Sequence, residues 1–363
     1  MLRLSVLLLA ATLALPASAD IRIAVMAPLS GQFQVLGQQM RAGVQKAVDD
    51  INARGGVDGE KLVLDVEDDG CKAETAAAAA NRAAGRGDVL VIGYVCAAAA
   101  EAAAAVYAQN GILFISPGVS ADSLTDRRAG PTIFRIATTD RAQGYVAGGY
   151  IAKTYPRKRI AVLDDGSPYG KPIADGAAAA LKREGVTALR RETYDAGAKD
   201  YNALAARLID DATDVVFLAG YQGDIALIAK ALRAANSAII VIGPDTIGTN
   251  QFLDLAGDAA EGLLFTFFTD FRLGDEARDV VAAFRASGTE PVGLVLPSYA
   301  ALEVWLAARS SAPAKDAASI AATLQDGSFP SVIGKVDFWD NGSTRIPGFS
   351  VYRWQDGKPV LLE

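Results

Sequence analysis

The stretch from Asp88 to Ser120, DVLVIGYVCAAAAEAAAAVYAQNGILFISPGVS, constrains the fold more than any other part of the chain. Residues 89–92 are an unbroken run of β-branched and aliphatic side chains, the pattern of a strand buried on both faces. Gly93-Tyr94-Val95-Cys96 is a tight exit. Residues 97–109 are rich in alanine and carry no breaker, which predicts a helix. Residues 112–115 predict a second buried strand, left through the loop Ser116-Pro117-Gly118-Val119-Ser120. A strand–helix–strand unit returns parallel to its first strand, so both exit loops open at the same carboxyl edge of the sheet. Ligands of open α/β sheets bind at that edge. The helix start after Cys96 offers backbone N–H groups that attract a carboxylate or phosphate. The second loop offers two hydroxyls and a glycine that lets backbone approach closely. This stretch reads as half of a small-molecule site for an anionic group. The competing reading is a plain core unit with solvated loops.

The same alternation fills the chain and runs through it twice. Strands are predicted at 21–27, 61–67, 89–92, 112–115 and 132–136, with helices at 36–54, 73–86 and 97–109. Thr138-Thr139-Asp140 caps a helix to about residue 154, and the pattern then restarts. Strands at 159–163, 187–193, 214–218 and 238–242 alternate with helices at 172–184, 201–210 and 223–235. A further strand is expected at 262–269, then helices at 277–286, 297–309 and 316–324. Short strands near 332–339, 348–354 and 359–362 end the chain. Two similar doubly wound α/β domains follow from this repetition.

The chain of 363 residues opens MLRLSVLLLAATLALPASAD. Arg3, the apolar run 4–15 and Ala17-Ser18-Ala19 read as a cleaved secretory signal peptide at 1–19, with a mature start at Asp20. No cysteine near the cleavage point suggests a lipid anchor, and no later stretch approaches about 18 uninterrupted apolar residues. A net charge of −7 argues against nucleic acid or an anionic membrane as partner. The 2 cysteines, Cys71 and Cys96, would meet an oxidising compartment after export. A disulfide is expected there, closing a loop of about 25 residues worth roughly 3 kcal/mol; two free buried thiols are the alternative.

Histidine is absent from the chain. That removes the commonest general base, the usual activator of serine or cysteine nucleophiles and the usual zinc ligand. There is no glycine-rich phosphate loop, no dinucleotide fingerprint and no nucleophile elbow. No cofactor or metal is expected. The pairs Asp49-Asp50, Asp68-Asp69, Asp164-Asp165 and Asp210-Asp211 read as solvated faces or loop caps, because adjacent side chains do not converge.

Several segments together resemble the periplasmic leucine/isoleucine/valine-binding proteins of ABC importers. They are IAVMAPLSGQFQVLG, INARGGVDGEKLVLDVEDDGC, VIGYVC, ILFISPGVSADSLT, IADGAAAALKREG, VVFLAGYQGDIALIAKALRAA, IGPDTIG and AEGLL. The similarity is collinear over the whole chain after residue 19. It implies a type I periplasmic-binding-protein fold: α/β, with two doubly wound Rossmann-like lobes joined by three crossover strands near 137–140, 267–270 and 345–348. The lobes would be 20–138 plus 269–346, and 139–268 plus 347–363. The family's carboxylate-binding positions fall on Ala97, Gly118 and Ser120. Its tyrosine and its acid for the ligand's ammonium fall on Tyr221 and Asp245, its pocket wall on Leu36, and its disulfide on Cys71 and Cys96. Three positions depart from the family: Ala97 replaces a serine, Asp245 a glutamate, and Leu36 an aromatic residue.

The resemblance implies a periplasmic, monomeric, non-enzymatic carrier that captures a branched-chain or other apolar amino acid and delivers it to a membrane permease. An amide or an aromatic or aliphatic carboxylate is the alternative ligand. An exported enzyme on the same fold is the competing class, disfavoured by the missing histidines and motifs. A DNA-binding regulator would need a headpiece where the signal peptide stands.

Overall fold

The computed structural model describes residues 20–188, 190–346 and 348–362. The expected signal peptide lies outside them. The first sheet holds β1 (Ile21–Ala27), β2 (Leu62–Asp68), β3 (Leu90–Gly93), β4 (Leu113–Ser116) and β5 (Ile133–Arg135), all parallel, in the order β2-β1-β3-β4-β5. The chain then crosses to a second sheet. Its parallel strands are β6 (Ile160–Asp164), β7 (Arg190–Thr193), β8 (Val215–Ala219), β9 (Ile240–Gly243) and β10 (Leu264–Phe268). Next the chain forms a separate hairpin, β11 (Ser328–Ser331) with β12 (Gly334–Asp337). It ends in β13 (Phe349–Gln355) and β14 (Lys358–Leu361), which extend the second sheet antiparallel to give β14-β13-β10-β9-β8-β6-β7.

Both faces of each sheet are covered. The first sheet's core continues into helices Gln34–Ala53, Val295–Ser311 and Ala317–Asp326 on one face. On the other, helices Ala73–Arg86 and Ala97–Asn110 bury mostly alanines, Ala76, Ala79, Ala80 and Ala83 of the first and Ala99, Ala100, Ala103 and Ala104 of the second, with Tyr107. The alanine run is close helix packing. Side chains without bulk let the two axes approach, and burial rather than propensity holds such helices in place. The second sheet is covered by helices Asp140–Thr154 and Gly170–Arg183 on one face and Asn202–Asp210, Gln222–Ala234 and Asn250–Ala256 on the other.

The expected strands and helices are present with shifted ends. The strand expected at 332–339 is instead the second arm of the β11–β12 hairpin. Gly334 takes φ 93°, turning the chain where a continuous strand was read. The acidic pairs at 68–69 and 164–165 are loop caps but not solvated, with Asp69, Asp164 and Asp165 buried. Asp69 accepts the Cys71 N–H (2.6 Å), Asp164 the Gly166 N–H (2.7 Å) and Asp165 the Ser167 N–H (3.0 Å). Among the described residues no helix is long and apolar enough to cross a membrane.

Candidate functional site

In each sheet the chain winds away in opposite directions from neighbouring central strands, β1 and β3 in the first and β6 and β8 in the second. Crevices open at the carboxyl ends of such strands. In the first sheet the exit of β3 is bound to that of β2 by the Cys71–Cys96 disulfide, whose Cα atoms are 5.3 Å apart. Tyr94 makes the turn with φ 67°, a left-handed conformation that an aromatic residue rarely adopts. Its buried ring holds it there, edge-on to Phe114 with centroids 5.5 Å apart and its phenol 2.7 Å from that of Tyr107. The helix that follows begins at Ala97 without a side-chain cap, so its first N–H groups have no side chain to satisfy them. Gly118, leaving β4, lies against the Tyr94 carbonyl; a Cβ there would come within 2.7 Å of that oxygen, so a larger residue would push the two exit loops apart.

The second sheet offers different chemistry. The loop after β6 is braced by Ser167, whose Oγ accepts the Gly170 N–H (2.8 Å) and donates to Asp165 (2.5 Å). This loop presents Tyr169, which stacks on Tyr221 from the exit of β8 at 5.2 Å between centroids. The Tyr169 hydroxyl donates to Asp245 Oδ1 (2.5 Å), and Gln143 Nε2 donates to the same oxygen (2.8 Å). Thr246 Oγ1 donates to the Gly220 carbonyl (2.8 Å), tying the exit of β9 to that of β8. Burial first, and the Asp245 carboxylate second, push the Tyr169 phenol well up, so it stays a protonated donor. Nearby Asp140 is pushed up to about 6, mainly by burial and then by the carboxylates of Asp245 and Asp122.

Between the sheets lies a cavity of 690 Å³. All three chain crossings line it, through Thr138, Thr269 and Ile346, and Phe267, Phe268 and Leu294 give it apolar walls. Pairing holds the crossings together: Ile136 N–H donates to the Ser116 carbonyl (2.8 Å), Thr344 N–H to that of Arg135 (2.9 Å) and Thr269 N–H to that of Gly348 (3.0 Å). Arg135, 1% exposed, ties the first crossing to the third through Ser343 Oγ (2.9 Å) and also donates to Thr125 Oγ1 (2.7 Å); burial lowers its guanidinium to about 10.

Of the residues singled out in the sequence, Leu36, Gly118 and Ser120 line this cavity together. Tyr221, 51% exposed, and Asp245 form the tyrosine–carboxylate cluster; Gly248, three residues beyond Asp245, reaches the cavity wall. Ala97 stands at the helix start and does not line the cavity. Tyr169 and Gln143 were not singled out. Tyr169 was accessible to the edge rule applied at the exit of β6, whereas Gln143 lies inside a helix and carries no local signal. No cluster that could hold a metal ion occurs among the described residues.

A family model for periplasmic binding proteins matches residues 20–359. A Leu/Ile/Val-binding protein, BraC3, of Rhizobium johnstonii is 35% identical over 349 residues, spanning 96% of this chain and 95% of that one. The chain belongs to the periplasmic Leu/Ile/Val-binding proteins of ABC importers. The leucine-, isoleucine-, valine-, threonine- and alanine-binding protein of Pseudomonas aeruginosa is 34% identical over 339 residues, 93% of this chain and 91% of its own. Among solved structures, an ABC transporter substrate-binding protein from Desulfitobacterium hafniense in complex with Leu superposes with a TM-score of 0.73. It is 26% identical and covers 95% of this chain and 100% of that one. The family's two-lobed type I fold matches the two doubly wound sheets, and its members act in the periplasm.

Proposed function

We propose that this protein captures an apolar α-amino acid, leucine, isoleucine or valine first, by closing two lobes over it, and hands it to a membrane permease. The lobes are 20–138 with 269–346, and 139–268 with 347–363. The protein leaves the cell's interior through its signal peptide, acts as a monomer and performs no covalent chemistry. The first lobe takes the carboxylate through Ser120 and backbone N–H groups at Ala97 and Gly118. The second takes the ammonium through Asp245, with Tyr221 covering it. Leu36, Leu294 and the phenylalanines of β10 receive the side chain. The ligand touches both lobes only when they are closed, so binding shifts the population towards the closed form.

The carrying observation is the Asp245 carboxylate. Among the described residues both of its donors, Gln143 and Tyr169, are neutral, and no lysine or arginine pairs with it. A half-buried carboxylate without a resident cation suits a ligand that brings one. Calorimetric titration of the ligand-stripped mature protein with leucine, isoleucine, valine, phenylalanine, glutamate, an aliphatic amide and benzoate tests the reading. Micromolar binding of a branched-chain amino acid, roughly −8 kcal/mol, is expected. Heat from benzoate or the amide alone would overturn the amino-acid assignment.

A further inference from the structure

We infer that Gln143 is a positioning residue for ligand recognition: it holds Asp245 in the orientation that leaves Oδ2 free for the ligand's ammonium. This rests on the amino-acid reading above. Gln143 is 0% exposed, and its side chain forms one hydrogen bond, Nε2 to Asp245 Oδ1 at 2.8 Å, across 102 residues of sequence. Its Oε1 is buried without a partner. A glutamine serving only the core would have both ends satisfied or be replaced by an apolar residue. Here the unsatisfied end is retained, and the satisfied end goes to the one carboxylate that the ligand needs.

Two further features make this a built arrangement. The Tyr169 hydroxyl donates to the same oxygen, so both donors converge on Oδ1, and among the described residues none takes Oδ2. An amide and a phenol orient the carboxylate without cancelling its charge, as an arginine or lysine would. The helices that deliver these donors are locked in register. Thr139 Oγ1 caps the first, accepting the Ala142 N–H (2.9 Å) one residue before Gln143. Gly144 then lies so close to the second that a Cβ would come within 1.9 Å of the Ile173 carbonyl, and Gly148 repeats the contact at Ala177. Tyr169 immediately precedes that second helix, Gly170–Arg183. The first helix also begins at the crossing from the first sheet, so the ammonium site is fixed to the hinge by one turn of helix.

The test is calorimetry on the full mature chain carrying Gln143→Met, with leucine and with 2-hydroxy-4-methylpentanoate, which keeps leucine's shape and carboxylate but lacks the ammonium. Leucine should weaken by about tenfold or more while the hydroxy acid is unchanged, because the lost hydrogen bond orients only the group that reads the charge. Gln143→Asn keeps the amide, shortens its reach and should behave likewise; it carries the test if Gln143→Met does not fold. Leucine binding retained within about twofold, or equal losses for both ligands, would overturn the positioning role. Asp245→Ala separates the two levels. If it abolishes leucine binding and Gln143→Met does not, only the positioning role is wrong; if it leaves leucine binding intact, the ammonium site itself is elsewhere and the inference falls with it.

Discussion

The two sheets are wound in the same order and present opposite chemistry at their carboxyl edges. Taken as first-to-fifth strands, β1 to β5 and β6 to β10 both lie in the order 2-1-3-4-5. The first edge offers Leu36, Ala97, Gly118 and Ser120, none of them ionisable. Its nearby carboxylates serve the backbone: Asp68 accepts the Leu29 and Gly70 N–H groups (both 2.9 Å), and Asp69 accepts that of Cys71 through Oδ1. The second edge offers Tyr169, Tyr221, Asp245 and, beside them, Gln143 and Asp140. On the proposed reading one topology supplies a donor half and an acceptor half for an amino acid's two charged ends. The fold sets where the loops open, and the loop residues set what they hold.

The largest effect should come from removing the acceptor. Asp245→Ala should weaken leucine by about a hundredfold or more, since a desolvated ammonium loses its partner at a cost of roughly 3 kcal/mol or more. Calorimetry reads this directly, and retained affinity would erase the contrast between the lobes. A smaller loss is expected on the donor side. Ser120→Ala removes one hydrogen bond to a charged group, about 1.5–3 kcal/mol, and leaves the backbone donors in place. If it cost more than Asp245→Ala, the first lobe would be the dominant half.

Ala97→Ser sharpens the comparison from the other direction. Adding a hydroxyl at the uncapped helix start should tighten leucine by a few-fold, about 1 kcal/mol, and leave the hydroxy acid analogue tightened equally. A gain for leucine alone would show that Ala97 does not face the carboxylate.

The smallest effect concerns stability rather than binding. Burial raises Asp69 in the first lobe and Asp140 beside the second to about 6, and Glu303 to about 6. Between their unfolded values and 6 the folded chain holds more protons than the unfolded one. Their contribution is therefore fully present below about pH 4 and is lost as pH rises through 6. Glu67 and Asp270, held low by Arg82 and Arg272, act oppositely, giving stability that is lost in acid. Melting temperature should peak at roughly pH 5, some degrees above its value at pH 8. A midpoint that climbs steadily to pH 8 would contradict the burial of these three acids.

Much of this organisation was legible in the chain because it is local. The apolar runs at 89–92 and 112–115 and the alanine helix between them identify a parallel unit, and its repetition identifies the second sheet. The edge rule points to the loop carrying Gly118 and Ser120, and both residues line the cavity. What stayed hidden is the chemistry that depends on pairing across the chain. Gln143 meets Asp245 across 102 residues, and nothing in its helix distinguishes it from a core amide. The phenylalanines of β10 read as a strand, but a strand pattern does not say that Phe267 and Phe268 face a cavity. The β11–β12 hairpin is not legible because an apolar run hides the turn that Gly334 makes.

The two edges are proposed to read the two ends of one amino acid. Calorimetric titration of the wild-type protein with leucine, 4-methylpentanoate and 3-methylbutylamine, the whole ligand and its two halves, tests it most directly. Leucine should bind about a hundredfold or more tightly than either half, because each half leaves one edge unsatisfied. If 4-methylpentanoate bound as tightly as leucine, the acceptor edge would have no part in recognition, and the division of labour between the lobes would be wrong.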